Sequence, residues 1–247
     1  MFIKCFFLLQ AINFLSAEPV FQPEERISGG NSIRIEQAPW QVLLLIQKQQ
    51  ICGGSIYSKD IIVTAAHCLF TIGEERLEPK DLLIRAGSTF IDFGGDLIEV
   101  AALKYHEEFN FITKRNDIGI VRLSKPLQFS KKVWPIPLAG VNPPSGTFAF
   151  STGWGATSVT SNTPRKYPRN LQGIVVPIHK CIGLHDDYIC AGNFNKAACF
   201  GDSGGPLVVD QKLVGVVSIV YGTCTATSSY ISVPFFKKWI LNAINSI

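Results

Sequence analysis

The sequence has no concentrated charge of either sign and, after its first residues, no long apolar run. Only 17% of its residues are charged, the formal net charge is +4, and the basic residues are scattered along the chain. A basic stripe of the kind that binds nucleic acid is therefore not expected. Apolar stretches are short and are separated by Gly, Pro and Asn, and no helical period interrupts them before the last residues. This pattern excludes a mainly helical fold.

Several short, β-branched apolar runs at regular spacing predict an all-β sandwich or barrel. A hydrophobic fraction of 47% over 247 residues is ample for a packed core. Residues 158–170 are polar and contain two prolines, which predicts an exposed loop. From Phe235 to Ile247 the apolar residues fall at helical spacing. We expect a C-terminal helix there, packed on the second half of the protein, with its aromatic side chains in the core.

The first 17 residues are typical of a secretory signal peptide. Lys4 precedes an apolar run that ends at Ser16-Ala17, and we expect cleavage after Ala17. A membrane anchor is the alternative, but Gln10 and Asn13 interrupt the run, which is short for a span. The sequence thus predicts a secreted, extracellular protein without a membrane partner.

Seven cysteines become six once Cys5 of the signal peptide is removed. An even number of cysteines in an exported protein predicts three disulfides, although sequence alone leaves their connectivity open. His179, Cys181, His185 and Cys190 could instead be a zinc cluster, but an oxidising compartment favours the disulfide. No metal and no cofactor are expected. The six cysteines are Cys52, Cys68, Cys181, Cys190, Cys199 and Cys224.

Ser203 lies in the stretch Gly201-Asp202-Ser203-Gly204-Gly205-Pro206. Glycines beside a serine let a carbonyl group approach and leave backbone N–H groups free to bind a developing oxyanion. A serine hydroxyl becomes nucleophilic only when a base takes its proton. His67 ends one β-branched apolar run, and Asp117 opens another, where a carboxylate is costly to bury without a partner. The sequence therefore offers a base and a group to orient it.

Three motifs in a fixed order carry a resemblance to the trypsin/chymotrypsin family of serine proteases. They are Ala65-Ala66-His67-Cys68, then Asn116-Asp117-Ile118, then Gly201 to Pro206. The resemblance runs from Ile27 nearly to the end of the chain, and it implies two antiparallel six-stranded β-barrels with a C-terminal helix and the site between the barrels. The last motif also fits the G-x-S-x-G elbow of α/β-hydrolases, but that fold needs a histidine after the serine, and none follows here.

The resemblance also implies how the chain is divided and crosslinked. Residues 1–17 would be the signal peptide, 18–26 an activation peptide and 27–247 the protease domain. Within that domain, 27–130 would form the first barrel, and 131–247 the second barrel and the helix. The implied disulfides are Cys52–Cys68, Cys181–Cys190 and Cys199–Cys224.

By the same resemblance, each residue of the site has an implied role in acyl transfer. Ser203 would attack a peptide carbonyl, His67 would take its proton and Asp117 would orient His67. The backbone N–H groups of Gly201 and Ser203 would hold the oxyanion. Ser218, by its position, would support Asp117.

Activation is implied by Arg26 followed by Ile27-Ser28-Gly29-Gly30, which is similar to the Ile-Val-Gly-Gly of the family. Cleavage after Arg26 would free the amine of Ile27, which would then pair with the carboxylate of Asp202. A buried ammonium–carboxylate pair of this kind can form only once the new charged terminus exists.

The expected substrate pocket is built from Ala197, Ser218, Val220 and Ser228. Trypsins carry Asp at the position of Ala197, and without it a Lys or Arg side chain would be buried unpaired. Val220, in place of a glycine, and Ser228 narrow the slot as in elastases. We expect cleavage after small or medium aliphatic residues of protein or peptide substrates. Such an enzyme would not cut after its own Arg26, so a separate trypsin-like protease is the expected activator, and protein protease inhibitors are further candidate partners.

A second hypothesis is a secreted protease homologue that acts as a binding module without catalysis. Such homologues usually lack a catalytic residue or the activation site. Here His67, Asp117, Ser203, Gly201 and Arg26-Ile27 are all present, which favours the enzyme.

Overall fold

The computed structural model describes residues 29–160 and 163–247, and strands make up most of the regular structure there. The strands are β1 (Asn31–Ser32), β2 (Gln41–Ile46), β3 (Gln49–Ile56), β4 (Ile61–Thr64), β5 (Leu82–Ala86), β6 (Asp96–Tyr105), β7 (Gly119–Leu123), β8 (Phe148–Gly153), β9 (Ser158–Thr160), β10 (Thr163–Lys166), β11 (Gln172–His179), β12 (Tyr188–Ala191), β13 (Pro206–Val209), β14 (Lys212–Val220) and β15 (Ser228–Ser232). Short 3-10 helices cover Ile35–Gln37, Ala66–Leu69 and Pro79–Asp81, and one α-helix, α1, covers Val233–Asn245.

Two closed six-stranded antiparallel barrels form the body of the protein, as expected from the sequence. The first barrel runs β2-β3-β4-β7-β6-β5 and closes by pairing β2 with β5. The second runs β11-β12-β15-β14-β13-β8 and closes by pairing β8 with β11, while β1 adds to its outside along β11. Closure leaves no free sheet edge within either barrel.

The barrel strands follow from the alternation of their side chains. In β5, Leu82, Ile84 and Ala86 are buried, while Leu83 and Arg85 between them are partly exposed. Successive side chains of a strand point to opposite faces, so such a segment places every second residue inside the barrel. Strands that are apolar at nearly every position, such as β2 and β4, are buried along almost their whole length.

Residues 164–166 are exposed, as predicted, but residues 158–160 and 163–166 form two strands rather than a loop. Strands β9 and β10 pair antiparallel, with Ser158 opposite Lys166. Thr157 N also donates to Lys166 O at 2.9 Å, which extends the pairing toward the second barrel. These two strands are mostly polar, but their backbones pair.

Polar contacts join the two barrels where they meet. Thr152 Oγ1 at the end of β8 donates to Gln41 Oε1 at the start of β2, at 2.6 Å, and both residues are buried. Trp154 Nε1 donates to the backbone oxygen of Thr89 at 3.1 Å. Buried hydrogen bonds between otherwise separate barrels fix their relative position.

Helix α1 begins two residues before the predicted start. Ser232 is its N-cap and accepts a hydrogen bond from Phe235 N at 3.1 Å, and Pro234 stands in the first turn, where its missing N–H has no cost. Phe236 is buried, but Phe235 is 58% exposed. The expectation that the aromatic side chains of the helix lie in the core is therefore wrong for Phe235, because it faces away from the barrels.

The helix also contacts both barrels rather than the second alone. It packs against β14 of the second barrel and β7 of the first. Arg122 of β7 donates to Ile244 O at 3.1 Å and to Ile247 O at 2.9 Å, so it holds the end of the chain. Among the residues described, no helix has the length and apolar character needed to cross a membrane.

Candidate active site

His67 lies in the 3-10 helix Ala66–Leu69, directly after β4 of the first barrel. The disulfide Cys52–Cys68 ties this short helix to β3. The fully buried β4 anchors the chain before His67, and the crosslinked Cys68 anchors it after His67. His67 is itself partly exposed, at the surface of the cleft between the barrels.

Asp117, just before β7, is fully buried and contacts His67 twice. Its Oδ1 accepts the backbone N–H of His67 at 2.8 Å, and its Oδ2 lies 2.7 Å from His67 Nδ1. The hydroxyl of Ser218 donates to the same Oδ2 at 2.6 Å. Burial is the largest single effect and would raise the pKa of Asp117. The charge and hydrogen bonds of His67, together with Ser218, outweigh it and lower the pKa below its usual value.

An ionised Asp117 fixes the tautomer of His67. A carboxylate only accepts hydrogen bonds, so Nδ1 of His67 carries a proton and donates it to Asp117. Nε2 is then the unprotonated nitrogen of the neutral ring, and it is the atom that can accept a proton from another group.

Ser203 lies on the second barrel, in the loop between Cys199 and β13. The disulfide Cys199–Cys224 anchors this loop, and a hydrogen bond from Asp202 N to Cys199 O at 2.9 Å tightens it. Gly53 N of the first barrel donates to Ser203 O at 2.7 Å. Ser203 and His67 line one cavity of about 870 Å³. The two barrels thus bring these two residues to one cleft.

Gly204 shows why the neighbour of the serine is a glycine. Its φ is +76°, and a Cβ there would lie 2.2 Å from Thr64 Oγ1 and 2.5 Å from Gly53 O. Any side chain would clash with the first barrel or push Ser203 away from it.

Two backbone N–H groups beside Ser203 have no acceptor in the described part of the chain, those of Gly201 and of Ser203 itself. The N–H groups of Asp202, Gly204 and Gly205 all donate to backbone oxygens. Gln50 Nε2 donates to Gly201 O at 3.0 Å, which holds this peptide in place. Sequence reasoning missed Gln50, because its role depends on a contact across 151 residues.

The carboxylate of Asp202 is buried beneath the serine loop. Its Oδ1 accepts Gly155 N at 2.7 Å and its Oδ2 accepts Cys199 N at 2.8 Å. Burial raises the pKa of Asp202 to about 6, although both hydrogen bonds act in the opposite direction. No Lys, Arg or His among the residues described pairs with it. Arg26 and Ile27, the predicted activation site, lie outside the described residues.

The residues predicted to form the pocket lie close together on the second barrel. Ala197 and Ser228 are fully buried, and Ser228 Oγ donates to Ala198 O at 2.8 Å. Val220 in β14 stands directly opposite Ser228 in β15. Ser218, which contacts Asp117, is two residues from Val220 on the same strand. One stretch of β14 therefore carries both the residue that contacts Asp117 and a residue predicted to form a wall of the pocket.

The third disulfide, Cys181–Cys190, occupies the region considered as a zinc cluster. The sulfurs of Cys181 and Cys190 are bonded to each other. His179 Nε2 lies 2.9 Å from Thr227 Oγ1, and the side chain of His185 is exposed. These side chains have other partners or point to solvent. They do not form a set of metal ligands.

His106, which follows β6, lies against the C-terminal helix. Its ring stacks on Trp239 of α1 with centroids 5.0 Å apart, and meets Phe236 edge-on at 5.5 Å. Burial lowers the pKa of His106, against the raising effect of Glu107 and Glu108. The histidine packs the helix against the first barrel.

Two closed antiparallel barrels, with a buried Asp–His pair from one and a serine from the other, are the arrangement of a serine hydrolase. The trypsin family model matches residues 27–240. Trypsin alpha of Drosophila erecta is 41% identical over 239 residues, which cover 92% of this chain and 90% of that protein. Trypsin alpha of Drosophila melanogaster is 40% identical over 239 residues, with the same coverage.

Among solved structures, neuropsin, a serine protease expressed in the limbic system of mouse brain, is similar, with a TM-score of 0.77 and 28% identity. The match covers 87% of this chain and 99% of neuropsin. The chain belongs to the trypsin family. It is a serine endopeptidase, a hydrolase whose substrates are proteins or peptides.

Proposed function

We propose that Ser203, His67 and Asp117 are the catalytic residues of this endopeptidase. The observation that carries the proposal is the 2.7 Å contact of His67 Nδ1 with a buried Asp117, in a cleft that His67 shares with Ser203. Ser203 Oγ attacks the carbonyl carbon and its proton passes to His67 Nε2. The proton then goes to the leaving amine as the C–N bond breaks, which leaves an acyl group on Ser203. Water repeats the sequence and releases the acid.

The N–H groups of Gly201 and Ser203 bind the oxyanion of each tetrahedral intermediate. Neither N–H group has a hydrogen-bond acceptor within the described residues. This supports the role, because an N–H group already bonded to the protein is not free to bind the oxyanion. One donor of this kind contributes roughly 3–4 kcal/mol to the transition state in a comparable enzyme.

The chain is proposed to be a secreted zymogen, with a signal peptide over 1–17, an activation peptide over 18–26 and a protease domain over 27–247. The proposed division of that domain at residue 130 is supported by its place between β7 of the first barrel and β8 of the second, although β1 pairs with the second barrel. Cleavage after Arg26 frees the amine of Ile27, which pairs with Asp202. The raised pKa of this buried carboxylate supports the proposal, because a cation nearby would relieve the cost of burying its charge.

The proposed specificity is for small or medium aliphatic residues before the cleaved bond. The relatives described above carry the name trypsin, and trypsins prefer basic residues. In this chain, however, the floor residue is Ala197 and no carboxylate replaces it. Val220 and Ser228 are neighbours on the paired strands β14 and β15, and this supports the proposal that together they narrow the slot. A guanidinium or ammonium group would be buried there without a counter-charge.

This specificity implies that another, trypsin-like protease makes the cut after Arg26. Protein inhibitors that present a small aliphatic residue to the pocket are the other expected partners. Nucleic acid and membranes are not.

The test is to cleave the purified chain after Arg26 with trypsin, label it with a fluorophosphonate and then profile a peptide library. We expect labelling of Ser203 in the cleaved form only, and cleavage after Ala, Val or Leu. A Ser203→Ala variant is the control for labelling. Labelling that persists in that variant would contradict the assigned nucleophile, and a preference for Arg or Lys would contradict the pocket.

A further inference from the structure

A cavity opens on the side of the catalytic residues away from the proposed pocket. It has a volume of about 870 Å³ and is lined by His67, Ser203, the Cys52–Cys68 disulfide and residues from three further segments, 46–51, 70–74 and 111–114. None of Ala197, Ser218, Val220 or Ser228 lines it. Because His67 passes the proton to the leaving amine, the chain that departs lies on the side of His67. The cavity therefore faces the residues that follow the cleaved bond.

The outer wall of this cavity is a short loop that follows His67 directly. Phe70 and Arg76 form a bridge at its base, and Leu77 N donates to Leu69 O at 3.0 Å. Inside the loop, Thr71 N donates to Glu75 O at 2.8 Å. The loop is thus a hydrogen-bonded hairpin with Ile72 and Gly73 at its tip, rather than a free segment.

Aromatic side chains hold this hairpin in place. The ring of Phe70 meets Tyr105 and Phe111 edge-on, each with centroids 4.8 Å apart, and Phe109 lies 5.8 Å away. Lys114 Nζ lies over the face of Phe111 at 5.0 Å, which directs its charge onto the ring. Contacts of this kind keep the base of the hairpin at a constant distance from His67.

The cavity presents apolar side chains to its occupant. Ile46, Ile51, Phe70 and Phe111 are partly exposed there, and Ile72 at the hairpin tip is fully exposed. Contact of this fully exposed isoleucine with an apolar side chain of the substrate removes apolar surface from water and so favours binding. Two charged residues of opposite sign, Glu74 and Lys114, also line the cavity, so their charges offset each other and give no net preference for a charged residue.

From this geometry we propose that the 70–76 hairpin selects apolar residues immediately after the cleaved bond, with Ile72 as a specificity-determining residue. The inference rests on the proposed function, since it requires an acyl group on Ser203. A peptide would then be chosen on both sides of the bond, by a narrow slot before it and by an apolar surface after it.

Acyl transfer to amino-acid amides tests this directly. The cleaved enzyme is acylated with an activated ester of a short peptide ending in alanine, and the amide of leucine, glycine, glutamate or lysine is added. The amine attacks the acyl carbon, its proton goes to His67 and then to Ser203 Oγ, and a C–N bond replaces the C–O bond to the serine. The ratio of aminolysis to hydrolysis reports how well each amide occupies the cavity.

We expect leucine amide to capture the acyl group about tenfold better than glycine amide, the factor that burying roughly half of a leucine side chain gives. In Ile72→Glu this leucine-to-glycine ratio falls to about twofold and capture of lysine amide rises. Ile182→Glu is the matched control, because Ile182 is equally exposed on the second barrel and does not line the cavity. It should keep the ratio of the unchanged enzyme.

Three results would overturn the inference. They are equal capture of leucine and glycine amides by the unchanged enzyme, an unaltered ratio in Ile72→Glu, and an equal fall in Ile182→Glu. The ratio is internal to each variant, so a partly active preparation still reports it. Failure of the proposed function has a different signature, since no ester is hydrolysed and Ser203 is not labelled. That result would remove this inference as well.

Discussion

The hydroxyl of Ser218 donates to Asp117 Oδ2 at 2.6 Å and so joins the two barrels at the most buried charge of the site. Asp117 precedes β7 of the first barrel, and Ser218 lies in β14 of the second. A bulge in the pairing of β14 with β15 falls at Ser218, between Val217 and Ile219. Bulges redirect a side chain locally, and here that brings the hydroxyl to the carboxylate.

Replacing Ser218 with alanine should therefore weaken catalysis through Asp117. The hydrogen bond to a charged group is lost, the pKa of Asp117 rises and His67 is held less firmly. We expect kcat/KM to fall about tenfold, in line with a loss of roughly 1.5 kcal/mol in transition-state stabilisation. The matched control is Ser151→Ala, which removes a buried hydrogen bond to Pro206 O on the same barrel. Equal losses of activity in the two variants would mean that Ser218 acts only through stability.

The position of Asp202 requires a glycine at residue 155. A Cβ on Gly155 would lie 2.2 Å from Asp202 Oδ2, and its N–H already donates to Oδ1. Gly155→Ala must displace the carboxylate and with it the loop of Ser203. We expect fluorophosphonate labelling of the cleaved protein to slow at least about a hundredfold, the scale of losing an oxyanion donor. Gly140→Ala, with only Lys237 Nζ near at 3.8 Å, should label normally.

Val220 should set the width of the pocket. Val220→Gly removes a side chain that stands opposite Ser228, and the space gained should admit larger apolar residues. We expect the preference for phenylalanine over alanine before the cleaved bond to increase about tenfold, measured as the ratio of kcat/KM values on matched peptides. Val141→Gly, at an exposed valine of the loop before β8, is the control. No change in the ratio would show that Val220 does not line the pocket.

The sequence was sufficient to predict the fold and the class of enzyme, and it proposes the residues of the site, because these depend on local patterns in a fixed order. Alternating apolar runs predict strands, and the motifs around His67, Asp117 and Ser203 predict the chemistry. In the structure His67 and Ser203 line one cleft, and the buried Asp117 contacts His67 from behind it. Their burial and the direction of each hydrogen bond come from the pairing of strands far apart in the chain.

What the sequence did not predict depends on contacts between distant segments. Gln50 supports Gly201 from the other barrel, and nothing in its own neighbourhood indicates this. His106 is covered by Trp239, which arrives only when α1 packs. Strands β9 and β10 are mostly polar, and β10 contains a proline, so neither has an apolar period that would predict a strand. Phe235 is exposed because it lies on the face of α1 turned away from the barrels, which apolar spacing alone does not reveal.

The raised pKa of Asp202 predicts how the stability of the uncleaved protein depends on pH. Its pKa is about 6 in the folded protein and about 3.9 when unfolded. Between these values the folded state binds more protons, so the free energy of unfolding falls as pH rises, by about 3 kcal/mol in total. Urea unfolding from pH 4 to pH 7 measures this. Asp202→Asn should flatten the curve, and an equally steep fall in that variant would assign the effect to other groups.

Cleavage after Arg26 should make the enzyme sensitive to alkaline pH, because the new Ile27 amine then pairs with Asp202. The Ile27 amine has a free pKa of about 8, and pairing with Asp202 raises it. A group whose pKa is raised on folding contributes while it is protonated, and its contribution is lost as pH rises through the raised value. Activity of the cleaved enzyme should therefore fall above about pH 9 as the amine loses its proton and the serine loop relaxes. The measurement is the rate of fluorophosphonate labelling against pH, alongside titration of the amine by isotope-edited NMR. Labelling that stays constant while the amine titrates would separate the two events and exclude the ion pair as the basis of activity.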